Sequence, residues 1–119
     1  MKNPSEHVEQ VNFMRRVRLH LRKYPALELL YAIPNGGDRN VRVARKMKAE
    51  GTKRGVPDLH LPVGMGGYNA LYIELKAVGG RLSKEQKELI PKLQAENNRV
   101  EVAYGAEDAW QKLVNYLEL

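Results

Sequence analysis

The chain contains no cysteine, so disulfide staples and thiolate-bound zinc are both excluded. It has no run of about 18 apolar residues, which excludes an ordinary membrane-spanning helix. The N-terminal stretch is polar and lacks the apolar centre of a secretory signal, so a cytoplasmic location and no membrane partner are expected. The glycine-rich stretch Gly64-Met65-Gly66-Gly67 has no lysine or Ser/Thr behind it. It therefore reads as a connector rather than a phosphate-cradling loop. No serine pairs convincingly with a histidine and an aspartate for covalent catalysis. Internal repeats, linkers and low-complexity tracts are also missing.

What remains is a chain of 119 residues, enough for one domain with a real core. Its formal charge of +6 is unevenly spread. Residues 1–56 hold 13 Lys+Arg against 5 Asp+Glu, a balance of +8, whereas residues 57–119 hold 7 against 9, a balance of −2. A basic half beside an acidic patch suits a polyanionic partner with a cation at the point of contact. A solvated basic helix face would produce the same count.

Periodicity divides the chain into alternating elements. Residues 5–23 read as a helix opened by Asn3-Pro4-Ser5 and stopped by Pro25. Met14, Val17 and Leu21 mark its apolar face, and stepping back in fours from Met14 reaches Gln10 and Glu6. Glu9 then falls at the flank. Leu29 to Ile33 reads as a short strand, and Pro34-Asn35-Gly36-Gly37-Asp38 as a turn. Residues 40–50 read as a basic helix with Gly51 as its stop. Leu59, Leu61 and Val63 alternate with Asp58, His60 and Pro62, as a half-buried strand does. Leu71 to Lys76 forms the next strand, pairing with the former as a hairpin. Ser83-Lys84-Glu85-Gln86 is a capping box that opens a helix to about residue 97. Val100 to Tyr104 is a core strand, and Ala106 to Tyr116 an amphipathic helix with Ala109, Trp110, Leu113 and Leu117 inward. The order α-β-α-β-β-α-β-α predicts an α/β fold, a central mixed β-sheet flanked by helices.

Within this frame the charged residues converge. Glu74 and Lys76 are two apart on a strand and so face the same way, with Ile73 and Leu75 opposite. Two charges inside an apolar strand need a reason. If the Asp58 strand lies alongside, the facing side carries Asp58, His60, Tyr72, Glu74 and Lys76. Phosphodiester hydrolysis needs a nucleophile, charge neutralisation at phosphorus and help for the leaving oxygen, and divalent metals supply much of this. Asp58 and Glu74, with the backbone carbonyl of Leu75, suit the oxygen-rich demand of Mg2+ or Mn2+. Lys76 would orient the water or stabilise charge at the phosphate. Glu6 or Gln10 would complete the site from the first helix, with Glu9 as the competitor. Each has an ordinary rival: Glu74 and Lys76 as a solvated pair, Glu6 as a favourable charge at a helix N-terminus, Gln86 as half of its capping box, and His60 as a surface residue. Arg39, Arg42, Arg45, Lys53 and Arg54 are the expected phosphate contacts.

The joint order of these motifs resembles the VRR-NUC (virus-type replication-repair nuclease) domain of the PD-(D/E)xK, restriction-endonuclease-like superfamily. The resemblance runs from Ser5-Glu6 and Gln10, through Pro34-Asn35-Gly36-Gly37 and Gly55-Val56-Pro57-Asp58, to Ile73-Glu74-Leu75-Lys76 and Gly80-Arg81-Leu82-Ser83-Lys84-Glu85-Gln86. It implies a restriction-endonuclease-like core and Mg2+- or Mn2+-dependent DNA cleavage, with metal on Asp58 and Glu74 and the catalytic lysine at Lys76. It also favours a functional part for Gln86. Stand-alone phage and bacterial domains of this kind resemble dimeric four-way-junction resolvases, so branched DNA, a homodimer and, for a phage-encoded chain, the host cytoplasm are expected. The dimer would use the C-terminal helix or the 41–50 helix. The alternatives are a flap or nicked-duplex endonuclease of the same fold, or a DNA-binding module without catalysis.

Overall fold

The computed structural model describes residues 3–34 and 41–119. The expected turn beyond Pro34 and the expected phosphate contact Arg39 lie outside these residues.

Helix α1 spans Glu6–Leu19 and is capped by Ser5, whose side chain accepts from the Val8 N–H at 3.2 Å. It is shorter than expected. The His20 ring lies 2.8 Å from the Arg16 carbonyl, and the chain turns away before the proline. Pro25 instead opens a 3-10 turn over Pro25–Leu29, at the first helical position where its missing N–H costs nothing. The inward face of α1 also differs from the expectation. Glu9, Phe13 and Val17 are buried, Met14 and Gln10 are half-buried, and Glu6 is exposed. Phe13 sets that face, being the largest side chain on it and fully enclosed.

Strand β1 is only Tyr31–Ala32, and α2 runs over Val41–Ala49. Gly51 ends α2 at φ 98°, with its N–H bonded to the Lys48 carbonyl and the Thr52 N–H to that of Met47. This is the doubly bonded termination that a left-handed glycine permits. Strand β2 is Leu59–Leu61, β3 is Leu71–Lys76, α3 is Lys84–Ala95, β4 is Arg99–Tyr104 and α4 is Ala106–Leu117.

The sheet order is β1-β2-β3-β4. β1 and β3 both pair antiparallel with β2, while β4 pairs parallel with β3. The parallel pair requires a crossover, and α3 supplies it. One face of the sheet carries Leu59, Leu61, Leu71, Ile73, Leu75 and Ala103, all nearly or wholly enclosed. Phe13 and Val17 of α1 and Ala109, Trp110, Leu113 and Tyr116 of α4 pack on it. Leu117, expected inward, is only partly buried, and Tyr116 takes that place. α3 lies against β4 and buries Ile90; Val100 of β4 is buried as well, and neither belongs to the main core cluster. This is the mixed sheet between helices that the sequence predicts.

Candidate metal centre

The hairpin register brings the charged residues together. Leu59 pairs with Ile73 and His60 with Tyr72, so Asp58, one residue before Leu59, falls opposite Glu74. β2 begins at Leu59, which leaves the Leu75 N–H without a backbone acceptor on that side. The Asp58 carboxylate supplies one at 2.9 Å. Strand alternation turns the Leu75 carbonyl toward the same side, next to Asp58. Pro57, fully enclosed, fixes the approach to Asp58. Upstream, Gly55 at φ 90° lies against the first turn of α3, where a Cβ would sit 2.5 Å from the Glu85 carbonyl oxygen. Only glycine fits both that angle and that gap.

Glu74 is 1% exposed and Lys76 7%. Their head groups meet at 3.3 Å, which satisfies Glu74 Oε2. Among the described residues, Glu74 Oε1 is buried with no hydrogen-bond partner. Burial raises the Glu74 pKa to about 8; the neighbouring Asp58 adds to the rise and Lys76 opposes it. Asp58 is also raised by burial, against the lowering effect of the Leu75 N–H. A buried carboxyl oxygen without a donor, beside a second carboxylate, is costly unless a cation or proton compensates it.

The third acid comes from α1. Carboxylate oxygens of Glu6, Asp58 and Glu74 all lie within 4.8 Å of one another. Glu6 reaches the group from an exposed first turn, with half-buried Gln10 one turn further on. Glu9 has other work. Its Oε1 accepts the Ala106 N–H at 3.2 Å, and its Oε2 lies 3.0 Å from where a Cβ of Gly105 would be. Gly105 has no side chain with which to cap α4, and Glu9 does so from the neighbouring helix, where a negative charge is favoured. The signal for this was the i, i+4, i+8 series Glu9-Phe13-Val17.

Gln86 completes the capping box of α3: its Oε1 accepts the Ser83 N–H at 2.7 Å, and the Ser83 hydroxyl accepts the Gln86 N–H at 3.2 Å. Arg42 and Arg45 on α2, and Lys53 and Arg54 after it, are exposed.

One pleat repeat from Asp58 and Glu74, His60 stacks on Tyr72 with ring centroids 4.4 Å apart and planes 13° apart. Its Nδ1 lies 2.7 Å from the Tyr31 hydroxyl. Burial holds the His60 pKa below the ordinary value, which favours the neutral ring. Nothing local in the sequence places Tyr31 here, because its partner His60 lies 29 positions away.

The donor set fits a hard divalent cation: carboxylate oxygens from three elements, one buried oxygen without a partner, and no sulfur or imidazole among them.

The VRR-NUC domain model matches residues 7–107. A solved structure described as a VRR-NUC domain protein superposes with a TM-score of 0.81 at 26% identity, covering 98% of this chain and 91% of its own. No curated protein matches the chain significantly.

Proposed function

The chain belongs to the VRR-NUC domain family and is a nuclease-type domain, and on that premise we propose that it is a metal-dependent, structure-selective DNA endonuclease. Its proposed substrate is branched DNA, in the first place a four-way junction cut by a homodimer. The observation that carries the catalytic reading is the convergence of Glu6, Asp58 and Glu74 around a buried oxygen that lacks a partner.

In this reading Asp58, Glu74 and Glu6, with the Leu75 carbonyl, would hold Mg2+ or Mn2+, which would supply charge neutralisation at phosphorus and a lowered pKa for the attacking water. Lys76, whose head group meets Glu74 at 3.3 Å, presents its charge at the phosphate or to the water. The Gln86 amide nitrogen, at the start of α3, orients the phosphate or the water. Gln10 supports Glu6 from the next turn. Arg42, Arg45, Lys53 and Arg54 carry duplex arms through phosphate contacts; Arg39 belongs to the same proposal. Two sites related by a two-fold axis would nick opposite strands of a junction. α2 is the favoured dimer surface, because it has no buried residue whereas α4 commits Ala109, Trp110, Leu113 and Tyr116 to the core.

The test is cleavage of labelled four-way junction, flap, single-stranded and linear duplex DNA, with Mg2+ or Mn2+ and with EDTA. Wild type is run beside Asp58→Asn, which keeps an acceptor for the Leu75 N–H, and Lys76→Ala. Paired symmetric cuts in the junction, lost with EDTA and in both variants while binding persists, are expected. Cuts confined to flaps or nicked duplex would keep the nuclease and discard the resolvase. Binding without metal-dependent cutting would leave a DNA-binding module.

A further inference from the structure

On the sheet face that carries the acids, Tyr31, His60 and Tyr72 are cross-strand partners in one row. Tyr31 pairs with His60, and His60 with Tyr72. Directly paired residues share a face, so three aromatic rings stand side by side across β1, β2 and β3. The geometry is ordered: His60 and Tyr72 are parallel at 4.4 Å, while Tyr31 meets His60 edge-on at 5.3 Å and 77° and holds it by a hydrogen bond. Tyr31 is 49% exposed at the open edge of the sheet, and the other two are half-buried. The main core lies on the opposite face, built on Leu59, Leu61, Leu71 and Ile73. Packing of that core therefore does not account for this row.

Its position relative to the acids is fixed by the pleat. Asp58 precedes His60 by two residues and Glu74 follows Tyr72 by two, so the aromatic row lies about 7 Å along the strands from the carboxylates, on their face. Taken with the nuclease reading, on which this inference rests, we propose that Tyr31, His60 and Tyr72 form a stacking platform for an unpaired nucleobase flanking the scissile phosphate. Every base has a π face, so such a platform accepts any sequence while requiring the base to be unstacked from its neighbours. It therefore discriminates by structure: a branch point or single-stranded segment supplies a free base, and continuous duplex does not. The phosphate-binding arginines and lysines alone would bind duplex and branched DNA alike. A polar edge on each ring leaves the platform wettable in the free protein.

The test is a binding cycle in EDTA, where no cutting occurs. One axis is wild type against Tyr31→Ala/His60→Ala; the other is a junction with normal nucleotides at the branch against one with abasic sites there. Linear duplex serves as the fold and phosphate control. In wild type the abasic change is expected to cost about tenfold or more in affinity, and in the double variant little. Tyr31→Phe/Tyr72→Phe keeps the rings and should retain the wild-type preference, and duplex affinity should be the same throughout. If wild type cuts DNA with metal but the abasic cost is equal in wild type and the double variant, the platform is overturned and the nuclease stands. If wild type binds or cuts no DNA at all, both fall. If the double variant loses self-association by sedimentation with no base-dependent change, the row is a protein interface and the proposal is overturned.

Discussion

Replacing Glu74 by glutamine should make the metal-free protein more stable at alkaline pH, and the reasoning is quantitative. The folded state raises the Glu74 pKa to about 8 from its ordinary 4.5, chiefly through burial. The folded value lies above the unfolded one, so the folded protein holds the extra proton between them. The stability that goes with this neutral form is complete below about 4.5, declines as pH rises, and is gone above about 8. Each unit corresponds to about 1.4 kcal/mol, so the window represents a few kcal/mol, a large part of a typical domain's stability. Glutamine is neutral throughout and of the same shape, and its amide can donate where Glu74 Oε1 finds no partner. The assay is thermal unfolding followed by circular dichroism in EDTA, from pH 5 to pH 9. Wild type and Glu74→Gln should have similar Tm values at pH 5, then diverge in favour of the variant by on the order of 10 °C at pH 9. Taking the difference between the two proteins cancels His60, whose lowered pKa acts in the opposite direction over part of this range. Millimolar Mn2+ at pH 8 should raise the wild-type Tm and leave the variant unmoved, since only a ligand of the folded state stabilises it. Parallel Tm curves across the pH range, or a variant less stable at pH 9, would refute the account of Glu74 as a buried acid held neutral in the metal-free protein.

Further predictions follow from single contacts. Glu9→Ala should cost about 1–2 kcal/mol by uncapping α4, read as a lower urea midpoint, with metal-dependent cleavage retained at permissive temperature; loss of cleavage with unchanged stability would instead make Glu9 a site residue. Gly55→Ala places a Cβ 2.5 Å from the Glu85 carbonyl oxygen at a φ of 90° and should lower the Tm by the equivalent of about 2 kcal/mol or more. Arg42→Ala and Arg45→Ala should each weaken binding equally for all DNA structures and reduce the slope of log K against log salt by about 1. An unchanged slope would make them solvated residues of α2.

Much of the layout was legible because local rules act locally. Ser5, Ser83 and Gly51 each mark a helix end by a side chain or backbone angle that the structure uses. The alternation of Leu59-His60-Leu61 and of Leu71 to Leu75 gave the strand faces, and those faces gave the meeting of Asp58 with Glu74. The inward face of α1 is ambiguous in the sequence, because Met14, Val17 and Leu21 form as good a stripe as Phe13 and Val17. The deciding residue, Glu9, is charged, and its burial depends on the N–H of Ala106, 97 residues away. Nothing local could indicate that partner. Pro25 reads as a stop in the sequence and begins a turn in the fold, since one missing N–H suits either place. Tyr31 joined the aromatic row only through a pairing of β1 with β2 that spans 29 residues.

The bond from the Leu75 N–H to the Asp58 carboxylate gives the two acids unequal parts in the fold. Asp58 closes the last rung of the hairpin, so its removal would loosen the sheet even in a lineage with no use for catalysis. Glu74 Oε1 has no such partner among the described residues, and burial, which raises the Glu74 pKa to about 8, works against its charged form. If selection for activity were relaxed, decay would begin at Glu74, where almost any neutral residue of similar size improves the fold. Position 58 would keep an acceptor, Asp or Asn, long afterwards. On the proposed nuclease reading, a related chain that retains Asp58 but not Glu74 would fold through the same rung yet cut no DNA.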